Sequence, residues 1–223
     1  MAKQSNMPLF PLDRDVARLL GFVRFTNKFR RIQRLIWFKG MSLEDRERNG
    51  EHAFQLALVA WYIRENHQPH LNSEKLLFYS LVHDLPETYA GDTPAFTDKT
   101  GRFKPIPRSS KRAREQKALQ RIKRDWKHDF PEMIAYLEWY EKQIDEESRF
   151  IYALDKFLSD LNIFEDKGRT NIELGVTFDE QVAYKRPRIA AHPFLLTMYD
   201  QFVAFCAQRP ELYYFNDQAT AAE

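Results

Sequence analysis

The stretch "FYSLVHDLPETYAGD" (78–92) runs from apolar residues into a His, two Asp and a Glu. Imidazole and carboxylate groups this close together can ligate a divalent metal or move protons. His83 and Asp84 close an apolar run of Leu76, Leu77, Phe78, Leu81 and Val82. A polar pair there lies at the margin of a core and needs partners. Pro86 cannot donate to the carbonyl of Val82, so the helix kinks or stops there and Asp84 and Glu87 point to the break. Glu87 lies three residues after Asp84 and four after His83, on neighbouring helical faces. The plain alternative is a hydrogen-bonded pair at a helix edge. The chain holds its own control: His128-Asp129 in "DWKHDFPE" (125–132) sits among Lys123, Arg124, Asp125 and Lys127 and reads as a solvated turn.

Two further residues can complete a site. His52, in "RNGEHAFQLA", falls in the first turn of an amphipathic pattern, where Ala53 and Leu56 turn inward. Asp155 lies between Leu154 and Phe157 in "FIYALDKFLSDL". A buried carboxylate needs a cation, either a side chain or a metal. Lys156 is adjacent but is expected to point elsewhere on the helix. His52, His83, Asp84 and Asp155 can thus form the sphere of one divalent ion, with positions left for water and substrate. Such a set accepts Co, Mn, Mg, Fe or Zn.

These residues need helices to position them. Apolar spacing predicts helices over 51–66, 73–84 and 146–166, the last with Phe150, Leu154, Phe157, Leu158 and Leu161 on one side. Ser73 is the expected N-cap of the second. Residues 15–38 read as one long helix or two consecutive ones. Segments 111–126 and 130–143 supply two more, and 192–208 a terminal one. Residues 38–50, 92–110 and 168–190 read as connections, and the middle one adjoins the candidate site. Only 7 Gly are present and no alternating β-branched run appears, so the expected fold is all-α, a compact, irregular domain of six to eight helices.

Composition bounds the function. A chain of 223 residues with 43% hydrophobic and 14% aromatic residues suits one globular domain. The 34 basic residues nearly balance the 32 acidic ones, so global charge does not argue for nucleic-acid binding. The single Cys206 excludes an internal disulfide and fits a reducing compartment. The N-terminus builds no signal-type apolar core, and no apolar stretch is long enough to cross a bilayer. A cytoplasmic protein with no membrane partner is expected.

The order His52, His83-Asp84, Asp155 resembles the H…HD…D signature of the HD-domain metal-dependent phosphohydrolases. "GEHAFQLALVAWYI", "SLVHDLPETYAGDTP", "REQKALQRI" and "DEESRFIYALDKFLSDLNIFED" are similar, in order and spacing, to the bacterial HD-domain 5′-deoxynucleotidases. The likeness runs from about Arg34 to about Asp166. It implies one HD-type domain over 1–223, with helical extensions at 1–30 and 170–223. It also implies hydrolysis of deoxynucleoside 5′-monophosphates, a bound divalent metal and a homodimer. His52, His83, Asp84 and Asp155 fall on the metal ligands, and Glu87 on the acidic residue near the metal-bound water. Asp92 falls on the Asp that contacts the sugar or positions the phosphate, although Gly91-Asp92-Thr93-Pro94 also suits a plain turn. Arg34 matches an Arg that binds phosphate and deoxyribose. The Trp that often follows that Arg is replaced by Leu35, with Trp37 two positions later taken into the substrate-binding set.

Two other functions stay open. A deoxynucleoside triphosphate triphosphohydrolase, dATP-preferring in some phage enzymes of this type, would use the basic loop of Lys99, Arg102, Lys104, Arg108, Lys111, Arg112 and Arg114 to hold a polyphosphate tail. A non-enzymatic, nucleic-acid-binding helical module would use "KFRR" and "KRAR", but it lacks basic residues interleaved with aromatics.

Overall fold

The computed structural model describes residues 13–42, 44–96, 99 and 110–215. Ten α-helices follow one another: α1 (Arg14–Phe29), α2 (Asn49–His67), α3 (Ser73–Val82), α4 (Glu87–Ala90), α5 (Lys111–Trp126), α6 (Pro131–Lys142), α7 (Glu146–Glu165), α8 (Arg169–Leu174), α9 (Phe178–Ile189) and α10 (Pro193–Cys206). The only pairing of β type among the described residues is an isolated antiparallel bridge between Gln33 and Arg48. The all-α class therefore holds. No helix among these residues is long and apolar enough to cross a membrane.

Helix α7 is the axis of the molecule. Of the expected inward row, Phe150, Leu154, Phe157 and Leu158 are buried and Leu161 is half-buried, and Ile151, Ala153 and Ile163 are buried as well. It packs against α2, α3, α6, α9 and α10. Its start is fixed by Asp145, whose Oδ1 accepts from the Ser148 N–H at 2.9 Å, while Lys75 Nζ and Tyr79 Oη on α3 donate to Oδ2, each at 2.9 Å. Cap and neighbouring helix are tied through one carboxylate. Helix α2 buries Ala53, Leu56, Ala60 and Ile63 against this centre. Phe25 and Phe29 of α1, and Ile189, Leu195 and Tyr199 from the C-terminal helices, join the same core.

Four sequence expectations change. The helix expected over 15–38 ends at Phe29. The chain then runs alongside 47–49, with Arg34 N donating to Glu47 O (2.8 Å), Glu47 N to Ile36 O (2.9 Å) and Asn49 N to Ile32 O (3.0 Å). These long-range bonds replace the helical ladder. The close crossing depends on Gly50, where a Cβ would stand 2.9 Å from Arg30 Cβ. Next, α3 stops at Val82 and is capped by Asn72, not Ser73; Asn72 Oδ1 accepts from Lys75 N at 3.0 Å. Third, the connection expected at 168–190 contains α8 and α9. A reciprocal capping box between Thr177 and Glu180 starts α9, and Pro187 falls in its last turn. Finally, with the short α4 and these two, the described helices number ten, above the expected six to eight.

Candidate metal centre

His83 follows the last residue of α3, and its Nδ1 lies 2.9 Å from the Ser80 carbonyl oxygen. That contact assigns the proton to Nδ1 and leaves the Nε2 lone pair facing inward. His52, one turn into α2, has its Nδ1 3.3 Å from Glu47 Oε1. The two rings approach to 5.3 Å between centroids. Asp155 enters from α7, with Oδ1 3.0 Å from His52 Nε2. All three residues are buried.

Ligand atoms of His52, His83 and Asp155 lie within 4.8 Å of one another, the arrangement of a group that could hold a metal ion. His52 Nε2, His83 Nε2 and Asp155 Oδ1 are buried without a hydrogen-bond partner; the 3.0 Å approach of His52 to Asp155 lacks hydrogen-bond alignment. Three orphaned polar atoms converging on one point fit a divalent cation, which would satisfy all three at once. Asp84 borders this trio, its Oδ2 3.0 Å from His83 Nε2 and accepting from Arg34 Nη1 at 2.7 Å.

The electrostatics separate the carboxylates. Burial pushes Asp84 up, but His83 and Arg34 outweigh it and hold the group well below the usual carboxylate range. Burial likewise opposes ionisation of Asp155, and Lys156, His52 and His83 reverse the balance, so it too stays ionised. Glu87 goes the other way. Burial first, then Asp84 and Asp92, raises it well above its ordinary value, against Arg34 and an Asn49 Nδ2 donor 2.7 Å from its Oε2. Asp92 is raised by burial, opposed by Arg34, with Asp84 adding to the rise. Burial and Arg34 pull His52 down, but Asp155 and Glu47 bring it out above 6.5.

A cavity of about 280 Å³ opens beside these groups, lined among others by Arg34, Asp84, Glu87, Asp92, Asp155 and Lys156. Residues from α8 and α9, including Leu174 and Tyr184, form one wall. The structure thus gathers Arg34, His52, His83, Asp84, Glu87, Asp92 and Asp155. Trp37 is not brought to the cavity. It is fully buried in a second small core with Leu174 and Val176, and Leu35 and Ile36 line the cavity instead. Lys156 also departs from expectation, because its flexible stem brings Nζ back onto Asp155 Oδ2.

In the basic loop, Arg102, Lys104 and Arg108 lie outside the described residues. Lys99 pairs with Glu180 at 2.6 Å, and Arg114 donates to Ala90 O and Thr93 Oγ1, each at 3.0 Å, which tethers the 90–93 turn. Lys111 lines the cavity and pairs with Glu115 at 3.5 Å.

Glu47, Asn49 and Lys156 had no role in the sequence reading. Glu47 sits between Arg46 and Arg48 in a polar run and shows no periodicity, so no local signal marks it. By contrast, the His128 side chain is 90% exposed.

The chain belongs to the HD-domain family, whose model matches residues 26–195. It is 29% identical over 141 residues to the 5′-deoxynucleotidase HDDC2 of Mus musculus and 27% identical over 139 residues to that of Homo sapiens. Those alignments cover 63% and 62% of this chain and 65% and 63% of the relatives, so the match spans just under two thirds of their length. Among solved structures, a predicted metal-dependent phosphohydrolase from Magnetospirillum magnetotacticum MS-1 superposes with a TM-score of 0.72 at 27% identity, covering 94% of this chain and all of that one.

Proposed function

We propose that this HD-domain chain is a metal-dependent hydrolase that converts deoxynucleoside 5′-monophosphates to deoxynucleoside and phosphate. The observation that carries the reading is the convergence of three orphaned ligand atoms, from His52, His83 and Asp155, at the edge of a cavity reached by Arg34. The deoxynucleotidase relatives support the substrate class.

In this reading His52, His83, Asp84 and Asp155 hold one divalent ion. When bound, that ion supplies a water of lowered pKa and polarises a phosphate oxygen. Arg34, held in place by Glu47 and Asp84, turns its guanidinium to the phosphate. Glu87, whose carboxyl burial and the neighbouring acids push well above its ordinary value, is placed to give a proton to the leaving 5′-oxygen. Asp92, at the mouth of the same cavity, orients the sugar or phosphate.

The engagement of the basic residues favours the monophosphate. Lys99 and Arg114, assigned to a polyphosphate tail in the triphosphate alternative, are engaged elsewhere. The protein would act in the cytoplasm on a small deoxynucleotide, and the single HD-type domain would include α8 and α9 as a wall of its site. A homodimer is what the family resemblance implies. Phe54, Leu58, Trp61 and Tyr62 on α2 are exposed beside an apolar groove of about 440 Å³ between α1, α2, α3 and α6, a surface suited to a second copy.

The test is turnover of dNMPs, dNTPs and ribonucleotides with Co²⁺, Mn²⁺ or Mg²⁺, separating phosphate from triphosphate by chromatography. Release of phosphate from dNMPs is expected. Triphosphate as the product would overturn the monophosphate reading, and a protein that binds DNA but no metal would overturn the enzyme reading.

A further inference from the structure

Glu47 is fully buried, and the steps above use only its hold on Arg34. A carboxylate in such a place needs compensation on both oxygens. Oε1 stands 3.3 Å from His52 Nδ1, and Oε2 accepts from Arg34 Nε at 3.0 Å. The backbone of Glu47 is fixed as well, bonded through its N–H to Ile36 O (2.9 Å) and through its carbonyl to Arg34 N (2.8 Å). One rigidly held side chain therefore touches both a residue read as a metal ligand and the residue read as the phosphate arm.

We propose that Glu47 is a shared positioning residue, which fixes the ring tautomer of His52 with one oxygen and the guanidinium plane of Arg34 with the other. The chemistry follows from the donor inventory. An ionised carboxylate accepts on both oxygens, whereas a carboxamide offers one accepting oxygen and one donating NH₂. Donation from His52 Nδ1–H to Glu47 leaves the Nε2 lone pair facing His83 and Asp155. With Gln at this position, the amide oxygen can serve Arg34 only if its NH₂ faces His52. Nδ1 must then accept, and the ring proton moves to Nε2, where it blocks ligation. If the amide turns over, His52 keeps its tautomer and Arg34 meets a donor instead of an acceptor. Either arrangement gives up one of the two contacts.

This inference rests on the metal reading of His52, and the experiment separates the two. Mn²⁺ binding to the full-length wild-type chain is measured first by calorimetry; a chain that binds none sinks the metal reading, and this proposal with it. Glu47→Gln is then titrated with Mn²⁺ and, in its presence, with inorganic phosphate. At least one of the two dissociation constants is expected to rise by about 10- to 100-fold, the usual loss for a group that orients a metal ligand. Glu47→Asp keeps two accepting oxygens and is expected to recover part of the loss. A folded Glu47→Gln protein with both constants within about twofold of wild type would overturn the proposal. Should that variant not fold, the ¹⁵N shifts of His52 in the Zn²⁺-loaded wild type decide. Protonated Nδ1 with ligated Nε2 is expected, and the reverse overturns it.

Discussion

His83-Asp84 and His128-Asp129 are the same dipeptide in one chain, each followed within three residues by a proline. The His83 side chain is 1% exposed, and its neighbour Asp84 bonds Arg34 across a gap of 50 residues. The His128 side chain is 90% exposed and reaches Asp129, which pairs with Arg18 on the surface. The difference lies outside the dipeptide. His83 meets His52 and Asp155 because α2 and α7 pack against α3, and among the described residues nothing comparable converges on the turn after α5. Identical side chains become reactive only where other elements remove water from them and leave their lone pairs facing one another.

The largest test of that contrast is turnover. His83→Ala or Asp84→Ala should reduce phosphate release at least ~10³-fold, because a water without metal activation is a poor nucleophile. His128→Ala and Asp129→Ala should stay within about twofold. An active His83→Ala protein would make the two pairs equivalent and remove the site assignment. Metal-linked stability comes next. At a metal concentration of about 100 Kd the folded state should gain about 2.7 kcal/mol, read as a rise in Tm that a chelator reverses. The rise should vanish in His83→Ala and persist in His128→Ala.

A third test uses pH. His52 lies above its ordinary value of 6.5, so near neutrality a proton competes with the metal for its ring. Calorimetry at about pH 8 and about pH 6 should show weaker Mn²⁺ binding in acid. Stronger binding in acid would contradict the ligand reading of His52. The smallest effect concerns the scaffold. Asp145→Ala should cost about 1 kcal/mol as a lost helix cap, measured by urea unfolding. Burial opposes ionisation of Asp145, but Lys75 and Ser148 hold it below 3.8. Its contribution is therefore complete above the unfolded carboxylate value and fades as pH falls through the lower folded one. The cost of Asp145→Ala should shrink accordingly in strong acid.

Helices whose inward residues recur at helical spacing were readable in the sequence. Phe150, Leu154, Phe157 and Leu158 recur in this way along α7, and the same rule located α2 and α10. Residues 30–38 misled for the same reason. Ile32, Leu35 and Ile36 have helical spacing, but the backbone pairs with 47–49 and carries Arg34 to the cavity. Charge and Pro187 obscured α9, although the Thr177–Glu180 capping box was a usable start signal. In the site, the histidines and Asp155 stood out as polar residues on apolar backgrounds. Glu47 could not stand out, because it lies in a charged loop and gains its burial only from contacts with residues distant in sequence. Trp37 looked like a ligand-binding aromatic and instead fills a small core, since a sequence gives an aromatic ring no direction.

The cap at Asp145 makes α7 a ruler. Asp155 stands ten positions beyond it, and every residue between turns the helix by about 100°. Insertion or deletion of a single residue in that interval would swing the carboxylate about a quarter turn or more away from His52, even with every side chain of the site unchanged. The tolerance of the chain to length changes should therefore be lowest between the cap and Asp155, and far higher in the exposed turn at His128. The spacing to conserve is thus a count of residues along α7 as much as the identity of any one of them.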